Sequence, residues 1–147
     1  MDQMSSLRGV VLSPLEKIIS PQGVVFPVIK NTDVGYTDFR EAYFSTVGYS
    51  VIKPWKKHLK MTLNVVVPVG KIKFVIFDDR PLSTTINRFM EVTLAPDNYS
   101  RLTIPPNLWV AFKGESQSSN ILLNIADIIH DPSELIRTDL EKFPYEW

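Results

Sequence analysis

Between Lys53 and Lys60 the chain reads Lys-Pro-Trp-Lys-Lys-His-Leu-Lys, which sets one imidazole among four ammonium groups. An imidazole titrates close to neutral pH, so His58 is a candidate general base, with an ordinary surface or structural histidine as the plainer reading. Lys56 is a second candidate. An unperturbed lysine is neutral in only about one molecule in a few thousand at pH 7, a handicap of roughly 4.6 kcal/mol that burial and the repulsion of Lys53, Lys57 and Lys60 would have to remove. The alternative use of Lys53, Lys56, Lys57 and Lys60 is an anion site of the kind a diphosphate fills, or a solvated basic patch. Aromatic side chains at Tyr43, Trp55 and Trp109 could stack on a sugar or a base, although aromatics in an all-β chain are core by default.

Other chemistries find no support in the sequence. A transition-metal site needs several converging ligands, and the two histidines here, His58 and His130, stand far apart, so no metal is expected. Asp78-Asp79 beside Arg80 reads as turn and ion-pair chemistry rather than a cation site. There is no phosphate loop, no glycine-rich dinucleotide fingerprint and no Gly-x-Ser-x-Gly elbow.

The elements that must position these groups read as short strands. Leu7–Leu12, Val24–Ile29, Phe39–Val47, Tyr49–Ile52, Met61–Val67, Ile72–Asp78, Phe89–Leu94, Leu102–Ile104, Leu108–Phe112 and Ile121–Ile125 are rich in β-branched and aromatic residues. Eleven prolines and six glycines punctuate them evenly, without a linker or a repeat. Alternation puts Ile72, Phe74 and Ile76 on one face, with Lys71, Lys73 and Val75 on a wetter one. Met61–Val67 and Ile121–Ile125 are apolar on both faces except for Asn64 and Asn124, whose amides need partners, in backbone or in a ligand. Val67-Pro68-Val69-Gly70 predicts a strand end or bulge leading into a hairpin. Asp131-Pro132-Ser133-Glu134 predicts a short helix near 132–137, with Asp131 as N-cap and Glu134 closing a capping box; His130, just ahead of it, is expected to be structural.

A chain of 147 residues, 44% hydrophobic, can bury one core, and a single domain over 1–147 is expected. Sixteen basic residues balance sixteen acidic ones, which gives no field to attract nucleic acid or an anionic membrane. No apolar run is long enough for a membrane span and no secretory leader is visible, so a soluble protein is expected. The absence of cysteine permits a reducing, cytoplasmic location.

Five segments, taken in order, resemble the successive motifs of the dTDP-4-dehydrorhamnose 3,5-epimerases, cupin-type enzymes acting on nucleotide-linked sugars. Glu41-Ala42-Tyr43-Phe44-Ser45 is similar to the early barrel strand, and Val51–His58 to the segment carrying Arg-Gly-x-His. Gly70–Arg80 resembles the hairpin ending in Asp-x-Arg, Ile104–Phe112 the stretch ending Ala-His-Gly-Phe, and Phe143-Pro144-Tyr145-Glu146-Trp147 the closing aromatic motif. The resemblance implies an all-β jelly-roll barrel with a short C-terminal helix, a homodimer, a nucleotide-linked sugar as ligand, and no metal or organic cofactor. It implies proton traffic beside a ketone: a histidine held by a carboxylate removes a proton, a tyrosine on the opposite face returns one, and a cation or donor steadies the oxyanion.

The chain departs from that pattern at several positions. Laid on Arg-Gly-x-His, Lys53-Pro54-Trp55-Lys56 puts Lys53 at the phosphate-binding arginine and Lys56 at the base, with His58 two residues further along the same strand face. The tyrosine position falls on Leu123, the histidine of Ala-His-Gly-Phe on Val110, and the early arginine on Gln22; no tyrosine lies between Arg101 and Pro144. Two functions stay open. One is an epimerase or isomerase using Lys56 or His58 as base, with Lys53, Lys60, Asn64, Tyr43 and Trp109 around the substrate. The other is a barrel that binds a nucleotide sugar or a partner protein without turnover.

Overall fold

In the computed structural model, residues 6–147 are described; the first five, part of the stretch read above as carrying no leader, lie outside the described residues. Twelve strands follow one another: β1 Val11–Pro14, β2 Ile18–Ser20, β3 Gly23–Val25, β4 Glu41–Thr46, β5 Ile52–His58, β6 Leu63–Val69, β7 Ile72–Phe77, β8 Phe89–Leu94, β9 Ser100–Ile104, β10 Trp109–Gly114, β11 Ile121–Ala126 and β12 Leu135–Arg137. Two five-stranded antiparallel sheets form the body, in the orders β1-β9-β6-β11-β4 and β12-β5-β10-β7-β8, and β2 with β3 makes a separate hairpin. The chain alternates between sheets, so that β5 and β6 or β6 and β7 face each other rather than pair; this is the jelly roll the strand spacing implied.

Alternation explains how the two layers fill. Ile72, Phe74 and Ile76 of β7 point between the sheets, where they meet Val65, Val67, Leu102, Ile104, Val110 and Leu122. Residues of the other parity face outward, yet the outer face of β7 is not wet. Val75 and Phe77 join Trp55, Trp109 and Ala111 in a second cluster, covered by Leu140, Phe143, Tyr145 and Trp147 from the C-terminal segment. Lys73 lies over the rings of Tyr145 and Trp147 instead of reaching into water.

Two local expectations are corrected. Pro68 does sit at an irregularity, since pairing of β6 with β11 slips between Val69 and Val66, but the turn at Gly70 carries the chain to the other sheet and makes no hairpin. Its φ of +82°, and a carbonyl of Ser119 only 2.1 Å from where a Cβ would stand, require glycine there. Near the C-terminus Asp131 caps as expected, accepting from the Ser133 backbone N–H, but the helix is a single 3-10 turn over Pro132–Glu134. Leu135 and Ile136 then pair with His58 and Lys57 as strand β12. The described residues contain no α-helix, and none of their helical turns is long and apolar enough to cross a membrane.

Candidate active site

The core does not fill the whole space between the sheets. At one end a cavity of about 250 Å³ is left, with an apolar floor including Leu63, Val65, Phe74, Ile104 and Leu122, and a rim that carries Lys56, His58, His130 and Arg137. Strand β5 delivers the first two. Pro54 cannot donate to the ladder, and the pairing with β10 shifts between Lys53 and Lys56, so the irregularity lies before Lys56. From there on the strand is regular: Trp55 and Lys57 face the outer aromatic cluster, while Lys56 and His58 both face the cavity.

His58 meets a carboxylate. Its Nδ1 stands 2.6 Å from Oε1 of Glu134, which is 3% exposed, while Oε2 of Glu134 accepts from the backbone N–H groups of Leu59, Lys60 and Met61. Burial alone would raise the Glu134 pKa, but the His58 hydrogen bond and the N–H groups of Lys60 and Met61 outweigh it and hold the carboxyl below its ordinary value. An ionised Glu134 has no hydrogen to give, so Nδ1 must donate, and in the neutral ring Nε2 is left as the acceptor. Glu134 had been expected to close a capping box; its side chain turns inward to β5 instead.

The opposite sheet supplies the other polar wall. Tyr43 and Ser45 of β4, and Asn124 of β11, face the same cavity, with Tyr43 and Asn124 directly paired across the strands. Burial raises the pKa of Tyr43 above its ordinary value and the carboxylates of Glu41 and Glu134 push the same way, against a lowering by the Asn124 amide, so the phenol keeps its proton at neutral pH. Lys56 is shifted the other way, lowered by burial first and then by the charges of Arg137 and Lys53. Arg137 pairs with Lys56 across β12 and β5, and among the described residues none of Lys53, Lys56 and Arg137 takes part in a salt bridge, which sets three cations together.

The remaining sequence-derived candidates lie elsewhere. Trp109 points to the outer cluster and donates Nε1–H to Asp79 at 2.8 Å, while Lys57 pairs with the other oxygen of Asp79. Trp55 is fully buried against Phe143. Asn64 is a core amide: its Nδ2 donates to the Gly35 carbonyl and its Oδ1 accepts from Thr103, which ties the segment before β4 to the sheet. Lys60 is exposed, and Lys53 is half-buried beside Lys56 without lining the cavity. Leu123 faces away from the cavity, so the position read as the family tyrosine is on the wrong side of β11; its neighbours Leu122 and Asn124 face in. Arg137 and Ser45 line the cavity without having been singled out by the sequence, Asn124 was noted there only as an amide in need of a partner, and Glu134 and His130 were given structural roles. Among the described residues no group of three or more His, Asp or Glu side chains converges as a metal site would require.

A jelly roll with a histidine–carboxylate pair opening into one end of its interior defines the class as a cupin-type barrel with acid–base potential. No family model matches the chain. The dTDP sugar isomerase of Desulfovibrio desulfuricans G20 is 35% identical, with a TM-score of 0.92 over 96% of this chain and 92% of its own. The probable low-salt glycan biosynthesis epimerase of Haloferax volcanii is 25% identical over 145 residues, 97% of this chain and 91% of that protein. The 3,4-ketoisomerase QdtA of Thermoanaerobacterium thermosaccharolyticum, solved with TDP-4-keto-6-deoxyglucose, shares the fold at a TM-score of 0.75 and 21% identity, over 90% of each chain. The chain belongs to the dTDP-sugar isomerase and epimerase family.

Proposed function

We propose that the protein moves a proton at the carbon beside the ketone of a dTDP-linked 4-keto-6-deoxy sugar, and so epimerises it. The observation that carries this reading is the His58–Glu134 pair facing Tyr43 across one cavity. His58, aligned by Glu134, takes the acidic proton through Nε2, and the protonated phenol of Tyr43, on the opposite sheet, returns one to the other face of the enolate. Lys56, already crowded by Arg137 and Lys53, belongs with them to the diphosphate and not to the base. A cavity of about 250 Å³ is smaller than the roughly 300–1,000 Å³ of a site that swallows a drug-sized ligand, so it suits one sugar ring with the nucleotide outside. The name of the 35%-identical relative favours a second reading, in which the same proton removal moves the ketone along the ring.

Incubation with dTDP-4-keto-6-deoxyglucose, followed by proton and carbon NMR, separates the outcomes. An inverted centre with the ketone still at carbon 4 is expected. A ketone at carbon 3 selects isomerisation, and unchanged sugar that nevertheless raises the melting temperature leaves a binding barrel.

Two further properties belong to this reading. A homodimer is supported by the apolar side chains of β2–β3 and of edge strand β4 that the described residues leave uncovered, Ile19 at 72% and Phe44 at 69% exposure among them. A cytoplasmic setting suits a chain without cysteine.

A further inference from the structure

We infer that Asn124 is a catalytic donor: its amide Nδ2–H holds the ketone oxygen of the substrate and the oxyanion that forms there. The inference rests on the proton-transfer reading above. Three asparagines are buried among the described residues, and two of them have their amide nitrogens hydrogen-bonded to backbone carbonyl oxygens. Asn64 donates to the Gly35 carbonyl at 3.0 Å, and Asn120 donates to the carbonyls of Val47 and Ser116 at 3.1 and 2.9 Å. Asn124 differs. At 3% exposure it lines the cavity; its nitrogen meets the thioether of Met61 at 3.8 Å, a weak acceptor, and otherwise leans on the Tyr43 phenol oxygen, whose pKa it lowers.

The orientation of that amide is fixed by chemistry. The backbone N–H of Asn64 lies 3.1 Å from the other end of the Asn124 side chain, and since an N–H can only donate, that end must be the oxygen. The nitrogen, with two hydrogens, therefore turns to Met61 and the cavity. Tyr43 Oη approaches the same sulfur, at 3.9 Å, so two donors gather around one soft acceptor. A carbonyl oxygen entering the cavity is a far better acceptor than a thioether, and the apolar side chains of Leu63, Val65 and Leu122 around it strengthen the bond it would form.

The step balances without any other reactant. The bond from carbon to the acidic hydrogen breaks, the proton goes to His58 Nε2, and the electron pair moves onto the ketone oxygen, where Asn124 stabilises the negative charge by a hydrogen bond without giving up a proton. Carbon then takes the proton of the Tyr43 hydroxyl; solvent restores Tyr43 and removes the proton from His58.

Asn124→Asp and Asn124→Leu test the assignment. The aspartate keeps an oxygen for the Asn64 N–H and the shape of the side chain, but it replaces the donor with an acceptor. Three quantities are measured: deuterium incorporation into the 4-keto sugar in heavy water, affinity by calorimetry for that sugar and for dTDP-6-deoxyglucose, which has a hydroxyl in place of the ketone, and melting temperature. Both variants should lose about 100-fold or more in kcat for exchange, while affinity for the 4-hydroxy sugar changes by less than about threefold and the melting curves show that both variants are folded at the assay temperature. Exchange within about threefold of the wild-type rate, or an equal loss of affinity for both sugars, overturns the inference. If the wild type exchanges no deuterium, the proton-transfer reading fails by itself. The donor role then stands only if the wild type prefers the ketone over the alcohol and both variants abolish that preference; otherwise it falls too.

Discussion

His58 and Glu134 lie 76 positions apart in the chain and 2.6 Å apart in the fold, and the carboxylate answers to four hydrogen-bond donors at once. Replacing Glu134 by Gln keeps the shape and removes the charge, so that either His58 Nδ1 or the three backbone N–H groups face an amide NH₂. A loss of about 1–3 kcal/mol in urea unfolding at pH 7 is expected, the usual cost of a buried donor left without an acceptor. Because the folded-state pKa of Glu134 is depressed, its ionic contribution is fully present above the ordinary value of 4.5 and disappears as pH falls through the lower folded value. The gap between wild type and Glu134→Gln should therefore narrow on acidification; a gap independent of pH would show that the charge does not matter. Lys56 gives the opposite sign. Burial, Arg137 and Lys53 lower its pKa in the free protein, and a diphosphate beside it would raise it, so dTDP binding at alkaline pH should take up protons. Binding heats measured in buffers of different ionisation enthalpy report this, and heats that do not depend on the buffer would remove Lys56 from the phosphate site.

Strand β5 is the element that turns sequence alternation into a site, because one face serves the cavity and the other is anchored. Trp55 donates its indole N–H to the Leu140 carbonyl at 3.0 Å, its own carbonyl accepts from Thr138, and its ring packs edge-on against Phe143. Trp55→Ala should cost about 3–5 kcal/mol in chemical denaturation, since a fully buried indole leaves a void that its neighbours fill only in part. A cost below about 1 kcal/mol would mean that the C-terminal aromatics ride on the sheet without holding it. Much at this scale was legible: β8 spans the expected Phe89–Leu94, and β7 ends one residue short of its expected Ile72–Asp78. Where the reading failed, a distant partner decided. The start signals at Asp131-Pro132 were sound, yet pairing of Leu135–Arg137 with β5 drew the chain into a strand after one turn. Glu134 carried a local meaning in sequence, and the backbone N–H groups that claim it are more than seventy residues away. The cavity lining was half legible: Lys56, His58 and Tyr43 were found by residue type and spacing, whereas Trp109 and Asn64 were polar or aromatic residues whose partners, Asp79, Gly35 and Thr103, no local pattern reveals.

At the scale of the molecule, one surface is unfinished. The β2–β3 hairpin pairs with neither main sheet, and a two-stranded ribbon is marginal in water by itself. Ile18 opposes Val25 on one of its faces and Ile19 opposes Val24 on the other, all four exposed. The proposed homodimer would cover this hairpin with a second copy, and on that proposal the protein should run in light scattering at twice its chain mass of 16.8 kDa. Ile18→Glu with Val25→Glu should shift it to the monomer; a wild type already monomeric at micromolar concentration would contradict the dimer.

Deuterium incorporation in heavy water, compared between wild type and His58→Gln at saturating dTDP-4-keto-6-deoxyglucose, tests the role of the histidine–carboxylate pair most directly. Label should appear beside the ketone with the wild type and fall by about 10²–10⁴-fold in His58→Gln, with affinity for dTDP retained. Equal labelling by both proteins would contradict the assignment of His58 as the base.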